Sequence, residues 1–238
     1  MRPELVNGLV FYVVFLYSTT LHEAAHAWAA LRGGDPTAYR GGQVSLDPRD
    51  HIRREPIGMV VLPLISVLVS GWPLGFASAP YDPRWAERHP NRAAWMALAG
   101  PAANLLLVLV AGILINVGVL AGVFYPPERI GFADVTAATA GDESTWHAVG
   151  YLIGSVFALN LLLAVFNLLP LPPLDGSGGV MLLLPERLVP KYQNLLWSTP
   201  QLGLIGILIA WQVFDFFFDP AFSLALNVLY VAFGVSYS

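Results

Sequence analysis

The chain contains no cysteine. That excludes a disulfide framework and any thiolate metal site, so a metal would have to be held by histidine and carboxylate. Charge is scarce as well. Asp, Glu, Lys and Arg make up 12% of the 238 residues, about half the usual share. The formal balance is -4 and there is no basic tract, which excludes an electrostatic footprint for nucleic acid. No small-residue cleavage site follows the first apolar run, so that run reads as a membrane helix rather than a signal peptide. Internal repeats and low-complexity linkers are missing too, and the expectation is a single membrane-embedded domain over 1–238.

Apolar residues are abundant, at 56% of the chain. They fall in long blocks at 5–31, 57–75, 93–123, 146–169, 202–218 and 221–235. A water-soluble domain could not bury that much apolar surface, so the bilayer must act as solvent. The fold class expected is an all-α polytopic membrane protein with about 5–6 transmembrane helices. A catalytic core is expected over about 5–182 and a C-terminal helical hairpin over about 200–236, turning at Asp219-Pro220. Phe214, Phe216, Phe217 and Phe218 read as lipid-facing or interfacial aromatics.

The block at 57–75 is interrupted by Pro63, Gly71 and Pro73, and both of its flanks are rich in arginine. The positive-inside rule places both flanks in the cytoplasm, so this block must enter and leave on the same side. A re-entrant loop around 71–81 follows, and irregular backbone at that depth survives only beside protein or a wet cavity. Residues 37–47 read as a short cytoplasmic-side strand pair turning at Gly41-Gly42. The C-terminus is expected on the cytoplasmic side.

His22-Glu23-Ala24-Ala25-His26 carries the chemistry. Positions i and i+4 share a helix face, so both imidazoles can bind one zinc ion, and Glu23 lies beside it as a base. Three ionisable groups in a membrane helix without such a role would be expensive. A catalytic zinc wants a third protein ligand and one open position. His51, His89 and His147 read as solvated surface histidines. Asp175 follows Pro170, Pro172 and Pro173, which break the helix near the depth of the two histidines. By spacing alone it is either the third ligand or part of an Asp-Gly turn ending the helix.

HEAAH, Gly100-Pro101-Ala102-Ala103-Asn104 and the FNLLPLPPLDG stretch that ends at Gly176 resemble, in that order, the site-2 protease family of zinc intramembrane proteases. The resemblance covers about residues 15–182, in a compact form without the PDZ or CBS domain of many relatives. It implies one Zn2+ held by His22, His26 and Asp175, with Glu23 as general base. It also implies that Asn167 and Asn104 lie near the substrate or the attacking water, whereas Asn160 reads as packing. The family's membrane-embedded β-hairpin matches 72–83, where Ala79-Pro80 stands in place of a common Lys-Pro pair. Gly75, Phe76, Ala77 and Ser78 would then form an edge for an unwound substrate.

The expected activity is hydrolysis of peptide bonds in or near transmembrane segments of single-pass or small membrane proteins. The setting would be a prokaryotic cell membrane, with the site towards the cytoplasm and room for a separate regulatory membrane partner. Two alternatives stay open. A second class of membrane metalloprotease uses HExxH with a later Glu, for which Glu143 is the only rough counterpart. A non-proteolytic metal-binding membrane protein, transporter or scaffold, could use the same ligands.

Overall fold

The structure, a computed structural model, describes residues 3–142 and 144–237. Helix α1 (Pro3–Gly33) is long and apolar enough to cross a membrane. Its buried face nevertheless carries Ser18, Thr19, Thr20, His22, Glu23 and His26, groups that need partners on neighbouring helices. Beyond it, Asp35 accepts from the backbone N–H of Thr37 at 2.9 Å and from its hydroxyl. That side-chain turn starts a short helix, α2 (Thr37–Arg40), which closes through Gly41 and Gly42, the latter at φ 76°. The strand pair expected at 37–47 is therefore absent among the described residues: the Asp35 turn overrides the strand-like pattern.

Helix α3 (Pro48–Arg54) is capped by Asp47, whose carboxylate accepts from Arg49 N–H at 3.0 Å. Hydrogen bonding to the Arg49 side chain lowers the pKa of that carboxyl to about 2. His51 is not on the surface as expected. It is buried at 2% exposure, with Nε2 donating to the Ser45 carbonyl at 2.9 Å.

A π-helical turn at Ile57–Val61 runs into α4 (Leu62–Ser70). Together they rise only about 21 Å, too little to span the bilayer. The chain turns at Gly71, with φ 77°, and returns as an extended segment over 71–82. Phe76 N–H donates to Gly58 O at 3.1 Å, an approach so close that a Cβ on Gly58 would lie 2.1 Å from the Phe76 carbonyl oxygen. Asp82 N–H then reaches the Asp35 carboxylate at 2.8 Å, and Trp85 Nε1–H reaches Gly33 O at 3.1 Å. The segment thus comes back to the end of α1 beside which it left, so the re-entrant course holds. The hairpin itself is not formed, since no strand pairing occurs within 71–82 among the described residues.

Helix α5 (Pro83–Arg88) leads into α6 (Pro90–Leu120). At the far end of α6, strands β1 (Phe124–Tyr125) and β2 (Ala137–Ala138) pair antiparallel, Phe124 opposite Ala138. The small sheet is therefore at the end opposite the arginine-rich loops. Helix α7 (Thr145–Leu168) runs back, capped where Ser144 Oγ accepts from His147 N–H at 3.1 Å. Then come α8 (Asp175–Gly179), α9 (Val189–Ser198) and α10 (Gln201–Tyr230).

Helix α10 corrects the expected C-terminal hairpin: it continues through Pro220 as one helix. Proline is tolerated in a membrane helix where neighbours support it. Phe214, Phe218 and Phe222 stack in succession at 5.1 and 5.5 Å, and Phe132 packs against Phe218 and Phe222. Phe216 remains exposed as expected, whereas Phe218 is buried. The chain end consequently lies beside the β1–β2 loop, where Tyr230 and Tyr237 hydroxyls donate to Val135 O at 2.6 Å and Pro127 O at 2.8 Å.

Among the described residues four helices, α1, α6, α7 and α10, are long and apolar enough to span, against the 5–6 expected, because the block at 57–75 is too short and 202–235 is one helix. On α6 the bare outward positions include Leu105, Leu109, Ile113 and Leu120, an apolar surface too continuous for water.

Candidate metal centre

Two helices, α1 and α8, bring the ligand atoms together. His22 and His26 project from one face of α1, with their Nε2 atoms 2.9 Å apart. Asp175 Oδ2 stands 3.1 Å from His22 Nε2 and 3.3 Å from His26 Nε2. Among the described residues these three form the group able to hold a metal ion. Zinc bonds of about 2.0–2.2 Å in tetrahedral array give ligand separations of roughly 3.3–3.5 Å. The observed triangle is slightly tighter than that, so the donor set fits zinc.

The space fits as well. A Cβ built on Gly100 of α6 would lie 2.3 Å from His26 Nε2 and 2.5 Å from His22 Nε2. Only a residue without a side chain leaves that hollow free between the two nitrogens.

Each imidazole is held from behind. His26 Nδ1–H donates to the Met96 carbonyl at 2.8 Å, and His22 Nδ1 lies 2.6 Å from Asn104 Oδ1. Both contacts turn Nε2 towards the centre, the arrangement by which outer groups orient metal-ligating histidines. Asp175 is delivered by the proline turn after α7, in which Leu174 N–H donates to Leu171 O at 2.9 Å. Two close approaches fix that turn. A Cβ on Gly176 would meet Leu168 O at 2.2 Å, and one on Gly206 of α10 would meet Pro172 O at 1.7 Å.

Glu23 is 5% exposed, and its Oε2 has no hydrogen-bond partner among the described residues. It lines a cavity of about 470 Å³ together with His26 and Asp175. A buried carboxylate oxygen left unpaired beside a ligand cluster is costly unless it has a partner in function. Of the residues expected to form a substrate edge, Ala77 and Ser78 line this cavity; Gly75 and Phe76 pack against Gly58 instead.

Asn104 is fully buried behind His22 and does not line the cavity. Asn167 donates to the Leu163 carbonyl of its own helix at 2.9 Å. Asn160 hydrogen-bonds Asn104 at 2.8 Å. His51, His89 and His147 stand outside the cluster. Glu143, the ligand of the alternative class, lies outside the described residues. Met96 has no signature in the sequence, because it acts through its backbone carbonyl. Gly100 belongs to the GPAAN motif, but the hollow it provides is visible only in the fold.

The family model of peptidase family M50 matches residues 10–207. The chain is similar to "Putative zinc metalloprotease YwhC" of Bacillus subtilis, 32% identical over 73% of this chain and 68% of the relative. It is also similar to "Putative zinc metalloprotease Rip2" of Mycobacterium tuberculosis, 31% identical over 88% of this chain and 70% of the relative. Rip2 of Mycolicibacterium smegmatis is 28% identical over similar shares, 88% and 70%. No solved structure matches the chain. The chain belongs to peptidase family M50, the site-2 protease family of zinc metallopeptidases. It is an integral membrane protein of that family.

Proposed function

We propose that this chain is an intramembrane zinc protease that hydrolyses peptide bonds in or near transmembrane segments of other membrane proteins. The observation that carries the reading is buried Glu23, which keeps an unpartnered carboxylate oxygen and lines the same cavity as His26 and Asp175. His22, His26 and Asp175 would hold the zinc, which when bound acidifies water and polarises a carbonyl. Glu23 takes a proton from the attacking water and delivers it to the leaving amine. His22 sits about 16 Å, and His26 about 10 Å, along α1 from its Gly33 end, so the reaction is carried out within the span.

A transmembrane helix hides its carbonyls in internal hydrogen bonds and must unwind locally before attack. The backbone N–H groups of Ala77, Ser78 and Ala79 make no hydrogen bond among the described residues. They border the cavity and offer an edge for an unwound substrate strand. The arginine-rich loops on the cavity's side of the molecule support an orientation towards the cytoplasm, and the setting proposed is a prokaryotic cell membrane. A non-proteolytic metal site would leave Glu23 buried and idle, which disfavours a transporter or scaffold.

The test compares purified wild type with Glu23→Gln on single-pass membrane substrates in liposomes, with zinc measured on both. Wild type should cleave, the variant should be slower by about 10²–10⁴-fold, and both should hold one zinc per chain. Equal cleavage by the two proteins overturns the assignment of Glu23.

A further inference from the structure

Behind His22 runs a hydrogen-bonded line that links three helices and ends on a backbone carbonyl. Asn160 of α7 donates its Nδ2–H groups to Val156 O at 2.8 Å and to Ser18 Oγ of α1 at 2.9 Å. Its Oδ1 accepts from Asn104 Nδ2 of α6 at 2.8 Å. Asn104 Oδ1 faces His22 Nδ1 at 2.6 Å. Asn104 and Asn160 are both fully buried, and Ser18 is 2% exposed, so the line is closed off from bulk water.

The directions of these bonds follow from chemistry alone. Val156 O can only accept, so the end of the Asn160 amide beside it must be the NH2. The other end is then oxygen, and the Asn104 atom facing it must be nitrogen. The remaining end of Asn104 is oxygen, so His22 must carry its proton on Nδ1. That leaves a lone pair on Nε2, where His26 and Asp175 converge. His26 reaches the same state in one step, from the Met96 carbonyl.

We infer that Asn160 is a positioning residue that dictates the metal-binding tautomer of His22 through the amide of Asn104. With Asn160 apolar, nothing distinguishes the two ends of the Asn104 amide. The flipped amide presents NH2 to Nδ1, moves the proton to Nε2 and blocks the ligand atom. The inference rests on the metal site proposed above, but the tautomer is read without any substrate.

The experiment uses full-length protein in detergent, with 15N-histidine labelling and metal removed by chelation. Long-range 1H–15N correlation spectra assign the tautomer of each histidine. Cobalt(II) affinity and its visible absorption then report the ligand set. Wild type should show His22 protonated at Nδ1. Asn160→Leu should lose that signature and bind cobalt about 10–100-fold more weakly, the range typical when an orienting group behind a ligand is removed.

Asn160→Asp, neutral when buried, keeps an acceptor for Asn104 and a donor for Val156 O, and should retain both properties. Ser18→Ala leaves the Val156 anchor in place and should also retain them. An Asn160→Leu protein with the wild-type tautomer and affinity overturns the inference. So does equal loss in the Leu and Asp variants, which would mark Asn160 as packing only. Should Asn160→Leu fail to fold, Asn104→Leu removes the same instruction one step nearer, with the same expected outcomes. A wild type that shows the tautomer but cleaves nothing would count against the protease reading alone.

Discussion

Gly100→Ala isolates the hollow between the two histidines. The added methyl would lie 2.3 Å from His26 Nε2, 2.5 Å from His22 Nε2 and 2.6 Å from His22 Cε1. Comfortable carbon contacts begin at about 3.5 Å, so each ring must retreat by on the order of 1 Å. The rings cannot do so freely, because each is tied from behind, His26 to Met96 O and His22 to Asn104. Losing a group behind a ligand costs about 10–100-fold in affinity. Displacing two of three ligands should cost at least the upper end of that range, about 2.7 kcal/mol or more. The fold should suffer far less. Alanine favours a helix interior over glycine by about 1 kcal/mol, which offsets part of the roughly 1–3 kcal/mol of overpacking. Zinc affinity by competition with a chromophoric chelator, beside thermal unfolding of the metal-free protein, separates the two effects. A variant that binds zinc within tenfold of wild type would refute the geometry assigned to this site.

Two other predictions follow from the backbone course. Ala77→Pro removes one unpaired N–H at the cavity edge and should lower kcat/KM by roughly tenfold, the worth of one hydrogen bond near 1.4 kcal/mol. Zinc content should not change; unaltered cleavage would remove Ala77 from the substrate edge. The absence of cysteine makes single-cysteine labelling clean. Thr139→Cys and Ser236→Cys should react with an impermeant maleimide from one side of the membrane, and Arg49→Cys only from the other. Labelling of positions 49 and 236 from the same side would restore the C-terminal hairpin.

What was legible in the sequence was what covalent spacing decides. The i, i+4 spacing of His22 and His26 fixes a shared face wherever the helix goes, and long apolar runs declare their spans at any register. Asp175 was half legible: its prolines announced a broken helix, and the resemblance supplied the role. The misreadings share a cause, competition between a local signal and a partner the sequence does not name. Asp219-Pro220 looked like a turn because proline removes a helical hydrogen bond, yet the stacked Phe214, Phe218 and Phe222 carry α10 through it. Residues 37–47 looked like strands until the Asp35 side chain took the Thr37 N–H. His51 sat among arginines and looked solvated, but the loop folds over it to offer the Ser45 carbonyl.

The same distinction separates the residues proposed to perform the chemistry from those that prepare it. His22, Glu23 and His26 could be nominated from the sequence because their residue types are rare in membrane helices, and Asp175 through the resemblance. Met96 O, Gly100 and Asn160 could not, because one is backbone, one is the absence of a side chain, and one is an ordinary polar residue on another helix. Yet the ligand triangle depends on them. Without Met96 O and the Asn160–Asn104 line neither Nε2 is committed to its lone pair, and without Gly100 the lone pairs face a methyl group. Glycine at 100 and carboxamides at 104 and 160 thus act together, for they close the back of the site while leaving its front free. It follows that a scan confined to Glu23 and the three ligands would miss groups that help to set metal affinity.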